Sequence, residues 1–370
     1  MFKLKKLNMD VFKLRNRRDF VYCLVVLLQI CSVSASDDEL CPLSCECTRE
    51  DNTTDALNVV CDSFYQFTGN IPANTKYLVY QNSRFDYLPM NAFMDYKLLK
   101  SISFVNASIG TVRACSFAEL ESMERISFEK CQIDVIQGNA FSNLGNIDEV
   151  IFREVSVNDI TSFAFHNLTH LDYLTFEKVY IRLINRYSFQ QLNNIKRVKF
   201  ANSRIDYLRT SGFSKIANLT DVQFLNISFG SLHCNTLDTL AENTNTMTMT
   251  NLLFNCTCGL AWMWKEFSNE SSISPFASQN GNTCAGKGDI SGIGVAQACP
   301  DADSRGEGCQ PLLPSPPHSC SKNYDEPLNP VTKVPYPTSS KRSNTAATFK
   351  IDKYIIMQFM LVLVCCNYGI

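Results

Sequence analysis

Residues 101–120 read SISFVNASIGTVRACSFAEL, and residues 125–144, twenty-four positions further on, read RISFEKCQIDVIQGNAFSNL. Few letters are shared, yet the large apolar ones coincide: Ile102 with Ile126, Phe104 with Phe128, Ile109 with Ile133, Val112 with Ile136, Phe117 with Phe141 and Leu120 with Leu144. The comparison extends to segments that begin at Thr75, Leu99, Met123, Ile147, Leu171, Ile195 and Leu219. Their sixth residues are Tyr80, Phe104, Phe128, Phe152, Phe176, Phe200 and Phe224, and the nineteenth of the first six are Phe93, Phe117, Phe141, Phe165, Phe189 and Phe213. A fixed period of this length marks a solenoid, in which one coil cannot bury its apolar face alone but its neighbour in the stack can. Inward positions are therefore held while outward ones drift.

The alternation at positions 4 to 6 predicts a short strand with every second side chain inward. Successive coils then place these strands side by side, roughly 4.7–4.9 Å apart, as a parallel sheet. Burial of a Phe is worth on the order of 1.5–3 kcal/mol, so two Phe per coil make the ring columns a dominant favourable contribution. The small residues Ala92, Ser116, Ala140, Ala164, Ser188 and Gly212, each just before the second Phe, leave room for the ring.

Apolar residues at positions 1, 4, 6, 11, 14, 19 and 22 of each unit resemble the leucine-rich repeat. That resemblance implies an α/β solenoid, a horseshoe with a parallel sheet on its concave side and a return over the convex side, here of about seven repeats within residues 75–250. One departure stands out. The family places Asn or Cys at position 9, where the side chain satisfies backbone groups in the turn; here the residues are Ser83, Ala107, Cys131, Val155, Val179, Ser203 and Ile227. With those backbone groups needing other partners, the loops are expected to be looser than the family pattern.

The repeats are bracketed by cysteines, CPLSCEC at 41–47 with Cys61 ahead of them, and FNCTCGLAWMWKEF at 254–267 with Cys284 and Cys299 after. These resemble the caps of extracellular leucine-rich repeat proteins, within 36–74 and 251–310. The resemblance implies the pairs Cys41–Cys47, Cys45–Cys61, Cys256–Cys284 and Cys258–Cys299. Cys309 and Cys320 are candidates for a further loop, Cys131 reads as a buried thiol, and Cys115 and Cys234 stay unassigned. A zinc site is disfavoured, because C-x-C is tighter than usual ligand spacing and seventeen cysteines point to an oxidising compartment.

Both ends support that compartment. Seven basic residues precede the apolar run FVYCLVVLLQI (20–30) and the small residues near Ala35, which reads as a cleaved secretory leader over 1–35. An uncleaved anchor is the alternative, but eleven apolar residues fall short of the roughly 20 that span a bilayer. Residues 354–370 are apolar and uncharged, and follow a spacer and the small or polar residues from Ser343 and Asn344 onward. That order resembles a glycolipid (GPI) attachment signal, with 345–370 removed; a short transmembrane anchor or a secreted product are the alternatives. The segment 311–344 holds eight of thirteen prolines between 311 and 340 and reads as an extended stalk. Trimming both ends takes nine of 34 basic and three of 36 acidic side chains, leaving a net charge near −8. Nucleic acid as the main partner is thereby disfavoured, since such binding rests on Lys and Arg neutralising phosphate.

Positions 3, 5 and 7 of each strand point out of the sheet. They bring Tyr77, Arg125, Glu129, Glu149, Ile151, Arg153, Tyr173, Glu177, Arg197 and Lys199 to one face, the candidate binding surface on the concave side. Arg125 with Glu149, Arg197 with Asp221, and Arg153 with Glu129 and Glu177 are placed to pair across strands. Sequons at Asn52, Asn106, Asn167, Asn218, Asn226, Asn255 and Asn269 fit a secreted glycoprotein. No nucleophile elbow, phosphate loop or dinucleotide fingerprint occurs. His166 and His170 share i, i+4 spacing with no acidic residue between them. The expectation is a binding protein without cofactor or metal rather than an enzyme. The whole architecture resembles GPI-anchored cell-surface proteins of the connectin and Nogo-receptor kind. It implies adhesion, cell–cell recognition or a co-receptor role toward an extracellular protein, a second copy included, with innate immune recognition or a matrix role as alternatives.

Overall fold

The computed structural model describes residues 41–49, 56–65, 67, 71–120, 123–233, 236–237, 240–241, 243–256 and 281–290. The chain divides into two compact units, Met1–Tyr324 and Asp325–Ile370, and every described residue belongs to the first. The leader, stalk and lipid signal lie outside the described residues, as do Cys234, Cys258, Cys299, Cys309, Cys320, Asn52, Asn269, Ser343 and Asn344.

The first strand of each coil joins a ten-stranded sheet: Cys45–Arg49, Leu57–Asp62, Thr75–Gln81, Ser101–Val105, Arg125–Glu129, Glu149–Arg153, Tyr173–Glu177, Arg197–Ala201, Leu219–Leu225 and Thr244–Thr250, neighbours in that order. All pairs are parallel except the first, which is antiparallel. The register matches equivalent positions, Phe128 on Phe152 and Phe152 on Phe176. Helix is confined to Leu240 and Ala241 among the described residues, apart from a single 3₁₀ residue at Ile290. No described helix is long and apolar enough to cross a membrane.

The return path is itself made of strands. A second sheet stacks Arg84–Leu88, Ser108–Val112, Gln132–Ile136, Ser156–Ile160, Tyr180–Ile184, Arg204–Leu208 and Ser228–Leu232, and continues into the C-terminal side through Leu253–Phe254 and Thr283–Cys284. A third holds Phe117–Ala118, Phe141–Ser142, Phe165–Thr169, Phe189–Asn193 and Phe213–Ser214. In the second sheet the inward residues stand three apart, as in Ile109 with Val112 and Ile181 with Ile184, and the residue between, such as Asn158 or Arg182, is skipped in the pairing. Strand recognition from sequence relies on alternation by two, so this spacing hides the element.

Inside, the rings form two columns. Phe104, Phe128, Phe152, Phe176 and Phe200 stack with centroids 4.6–5.0 Å apart and planes within 6°. Phe117, Phe141, Phe165, Phe189 and Phe213 stack at 4.7–4.8 Å. Between columns the contacts are edge-to-face, as for Phe128 with Phe141 at 6.2 Å and 78°. Both arrangements suit the ring quadrupole. Ser116 and Ser188 do more than leave space: each buried hydroxyl donates to carbonyls of the preceding coil, Leu88 and Ile160.

The turns are tightly bonded, contrary to the looser loops expected from the missing Asn at position 9. The N–H that follows position 9 donates to the position-9 carbonyl of the coil before, as from Gln132 to Ala107 and Ser156 to Cys131. Ser83, Cys131 and Ser203 also hydrogen-bond backbone carbonyls of their own turns. Cys131 is a free, buried thiol, and burial pushes its pKa up to about 11. Each corner is a column of residues at positive φ. Position 8 holds Asn82, Asn106, Lys130, Glu154, Lys178, Asn202, Asn226 and, after a one-residue slip, Asn251, all between 50° and 55°. Asn tolerates this region better than other side chains, and its amides link coils: Asn106 Nδ2 donates to Asn82 Oδ1 at 2.8 Å, and Asn226 Nδ2 to Asn202 Oδ1 at 2.9 Å. An Asn ladder is thus present one position earlier than the family habit.

The ends depart from the period. Cys61 takes the ring position opposite Tyr80, and Met249 the one opposite Phe224. The disulfides Cys41–Cys47, Cys45–Cys61 and Cys256–Cys284 are present, and Cys115 is disulfide-bonded as well. Beyond the last coil, buried Asn282 accepts from Leu252 N–H and donates to the Met249 carbonyl.

Two outcomes test this core. Phe152→Ala is expected to cost about 3–5 kcal/mol in urea unfolding of the full chain, since it removes a ring contacted above, below and beside. Tyr80 Oη is buried without a hydrogen-bond partner among the described residues, and burial raises its pKa well above the ordinary tyrosine range. Tyr80→Phe is expected to stabilise by about 1 kcal/mol or more, read as a higher melting temperature.

Candidate functional site

The outer face of the first sheet carries three straight columns of side chains, because inward Val, Leu, Ile and Phe residues at positions 4 and 6 force positions 3, 5 and 7 outward. Register places Arg125 beside Glu149, Glu149 beside Tyr173, and Tyr173 beside Arg197. In the next column Ser127, Ile151, Thr175 and Lys199 are consecutive, and in the third Glu129, Arg153, Glu177 and Ala201. All ten residues predicted for the site lie on this face. Tyr77 stands at one end, two strands from Arg125.

Most of the charge is spoken for. Arg125 pairs with Glu149 at 2.8 Å, Arg153 with Glu177 at 3.5 Å, and Arg197 Nε with Asp221 at 2.8 Å. Asp221 also accepts from Gln223. Ser103 and Ser127 share a hydrogen bond of 2.7 Å. Along the strand starts, Lys100 pairs with Glu124 and Lys196 with Asp172; the Asp172 carboxylate raises the Lys196 pKa. At the corner, Lys178 pairs with Glu154, and that bond holds the Glu154 pKa below the ordinary value. The position-2 and corner pairs went unread in the sequence, although their 24-residue spacing with opposite sign was there to find. Among the described residues Glu129 and Lys199 make no ion pair.

Tyr173 is exposed and Ile151 half-buried, on adjacent strands and diagonally related, and the Arg197 guanidinium lies 5.9 Å from the Tyr173 ring centre. This patch has an apolar centre, flanked by paired charges on both sides. No group of three or more His, Cys, Asp or Glu residues able to hold a metal occurs among the described residues. His166 lies in a third-sheet strand, where burial lowers its pKa, and His170 occupies a positive-φ corner.

The model of the BspA-type leucine-rich repeat region matches in six copies across residues 73–183 and 158–274, more than half of the chain. The chain belongs to this family. Leucine-rich repeat folds commonly mediate protein–protein binding, and a ladder of outward columns on a stiff sheet is a surface suited to it. Among solved structures the chain is similar to human 5T4 (Wnt-activated inhibitory factor 1, trophoblast glycoprotein), with 16% identity, a TM-score of 0.37, and coverage of 70% of this chain and 98% of that one. It is also similar to a chain of the octameric complex of latrophilin 3, Unc5D and FLRT2, at 13% identity and a TM-score of 0.28, covering 69% and 97%. A plant ice-binding protein matches at 16% identity and a TM-score of 0.27, covering 59% and 79%. No curated protein sequence matches the chain.

Exposed cross-strand pairs of this kind contribute at most about 1 kcal/mol each. A double-mutant cycle with Arg125→Ala and Glu149→Ala, followed by chemical denaturation, is accordingly expected to give a coupling energy below about 1 kcal/mol.

Proposed function

We propose that the chain is a cell-surface protein-binding module that engages an extracellular protein, or a second copy of itself, through the outer face of the first sheet. The observation that carries this reading is the Ile151–Tyr173 patch: an aliphatic and an aromatic side chain on adjacent strands, with the flanking arginines already held in place by their carboxylate partners. Aromatic and Arg side chains anchor interfaces, and charges that are pre-positioned lose less freedom on binding. Glu129 and Lys199, without an ion pair among the described residues, would set which partner fits.

The same reading places the chain in the secretory pathway, with a removed leader, glycans and a glycolipid anchor after the stalk. Among the described sequons, the Nδ2 atoms of Asn106, Asn167, Asn218 and Asn226 each donate to the Asn side chain of the preceding coil. A primary amide has two N–H bonds, so one remains for a sugar. Glycans on Asn106 and Asn226 would border the first sheet beside the fourth and ninth of its ten strands and leave the patch between them open.

The test is display of the full-length chain on cells, scored for clustering with one another and with other cell types. Ile151→Arg and Tyr173→Ala are each expected to reduce clustering at least about tenfold with surface levels unchanged. Clustering that persists in both variants would remove the first sheet as the binding face.

A further inference from the structure

A second concentration of charge lies on a different face. Three successive strands of the second sheet, Tyr180–Ile184, Arg204–Leu208 and Ser228–Leu232, together with the turns that follow them, line a pocket of about 440 Å³ formed by Arg182, Leu183, Arg186, Tyr207, Arg209 and His233. The volume is within the range of small-molecule sites. Its composition is particular to these coils. Where Arg182 stands, the other coils have Asp86, Gly110, Asp134, Asn158, Asp206 and Gly230; where Arg186 stands, they have Met90, Ala114, Gly138, Ser162 and Thr210.

The arginines here differ from those of the first sheet and from Arg204 of the second. Arg125, Arg153, Arg197 and Arg204 are each in an ion pair, whereas among the described residues Arg182 and Arg209 have none. The nearby acids are committed elsewhere or out of reach. Asp206 accepts from Arg204 Nε at 2.7 Å and from the Tyr180 hydroxyl at 2.5 Å. Asp159 accepts from Asn185 Nδ2 at 2.5 Å; burial raises its pKa, and the Arg182 and Arg209 charges act against that rise without closing to an ion pair. Desolvation, and then the charges of Arg209 and Arg186, lower the pKa of His233 in the same lining. Among the described residues the pocket therefore carries the unpaired positive charges of Arg182 and Arg209, bounded by the apolar surfaces of Leu183 and Tyr207.

We infer that this pocket binds a small organic anion, its oxyanion headgroup held by Arg182 and Arg209 and its apolar body lying against Leu183 and Tyr207. A guanidinium offers planar paired donors that match carboxylate, sulfate and phosphate alike, so all three headgroups fit the site. This site is independent of the protein-binding face, since it lies on another sheet and shares no residue with it.

Isothermal titration calorimetry on the full-length chain in non-ionic detergent, with benzoate, phenyl sulfate and phenyl phosphate as separate probes, tests the inference and sorts the headgroups. At least one probe is expected to bind one site per chain. Arg182→Gln and Arg209→Gln are each expected to weaken it at least about tenfold, while Arg204→Gln, on the same sheet but already paired, changes it less than about twofold. Far-UV circular dichroism and an unchanged melting temperature establish that the variants fold. Absence of saturable binding by all three probes up to about 10 mM, or an equal loss in Arg204→Gln, would overturn the site.

Discussion

The rise from one coil to the next is a distance that a stacked phenyl ring can fill. Strands of a parallel sheet are about 4.8 Å apart, and parallel rings prefer to slide past one another with centroids at a similar separation. Here the observed centroid spacings of 4.6–5.0 Å in one column and 4.7–4.8 Å in the other meet the backbone spacing. Hydrogen bonding between coils and ring stacking between coils thus demand the same geometry. Neither has to yield, and the 24-residue register follows, because any shift would break both at once. Two columns meeting edge to face lock the three sheets around one interior.

Such an interior has no natural end, so the chain must stop it. At both ends the ring position passes to a smaller sulfur-bearing residue, Cys61 in one cap and Met249 in the last coil. Cys61 is tied to Cys45, and Cys256 to Cys284 in the strand that extends the second sheet. Asn282 then satisfies the backbone of the last turn from outside the repeat. The corners work differently. Positive φ at up to four places per coil would usually call for glycine, yet Asn is the residue used most often, and its amides become a further row of inter-coil bonds. Phe163 and Tyr187, held at the same conformation, are buried and stacked on one another at 6.0 Å.

Because the core fixes the coil, the outside is free to vary, and the sheets have been used differently. The first sheet mostly cancels its charge across strands and leaves an apolar centre at Ile151 and Tyr173. The second places Arg182 and Arg209, which make no ion pair among the described residues, on one pocket. Both surfaces come from outward positions of the same repeat, where a substitution meets solvent rather than packing.

The sequence by itself determined the solenoid, its period, the two ring columns and the first sheet, because inward aromatics recur at one spacing and a parallel stack is the only way to bury them. It also placed all ten candidate face residues on one side, since alternation by two leaves no choice. Tertiary structure decided the rest. The second and third sheets were hidden because inward residues three apart do not read as strand, and the last first-sheet strand, Thr244–Thr250, which forms an eighth repeat, because a one-residue insertion and Met249 break the pattern. The bonding of the turns escaped because it comes from backbone groups of adjacent coils, which carry no side-chain signature. The arginine pocket was equally out of view: Arg182, Arg186, Arg209 and His233 sit at three different positions of successive coils, and only the stacking of one coil on the next brings them together.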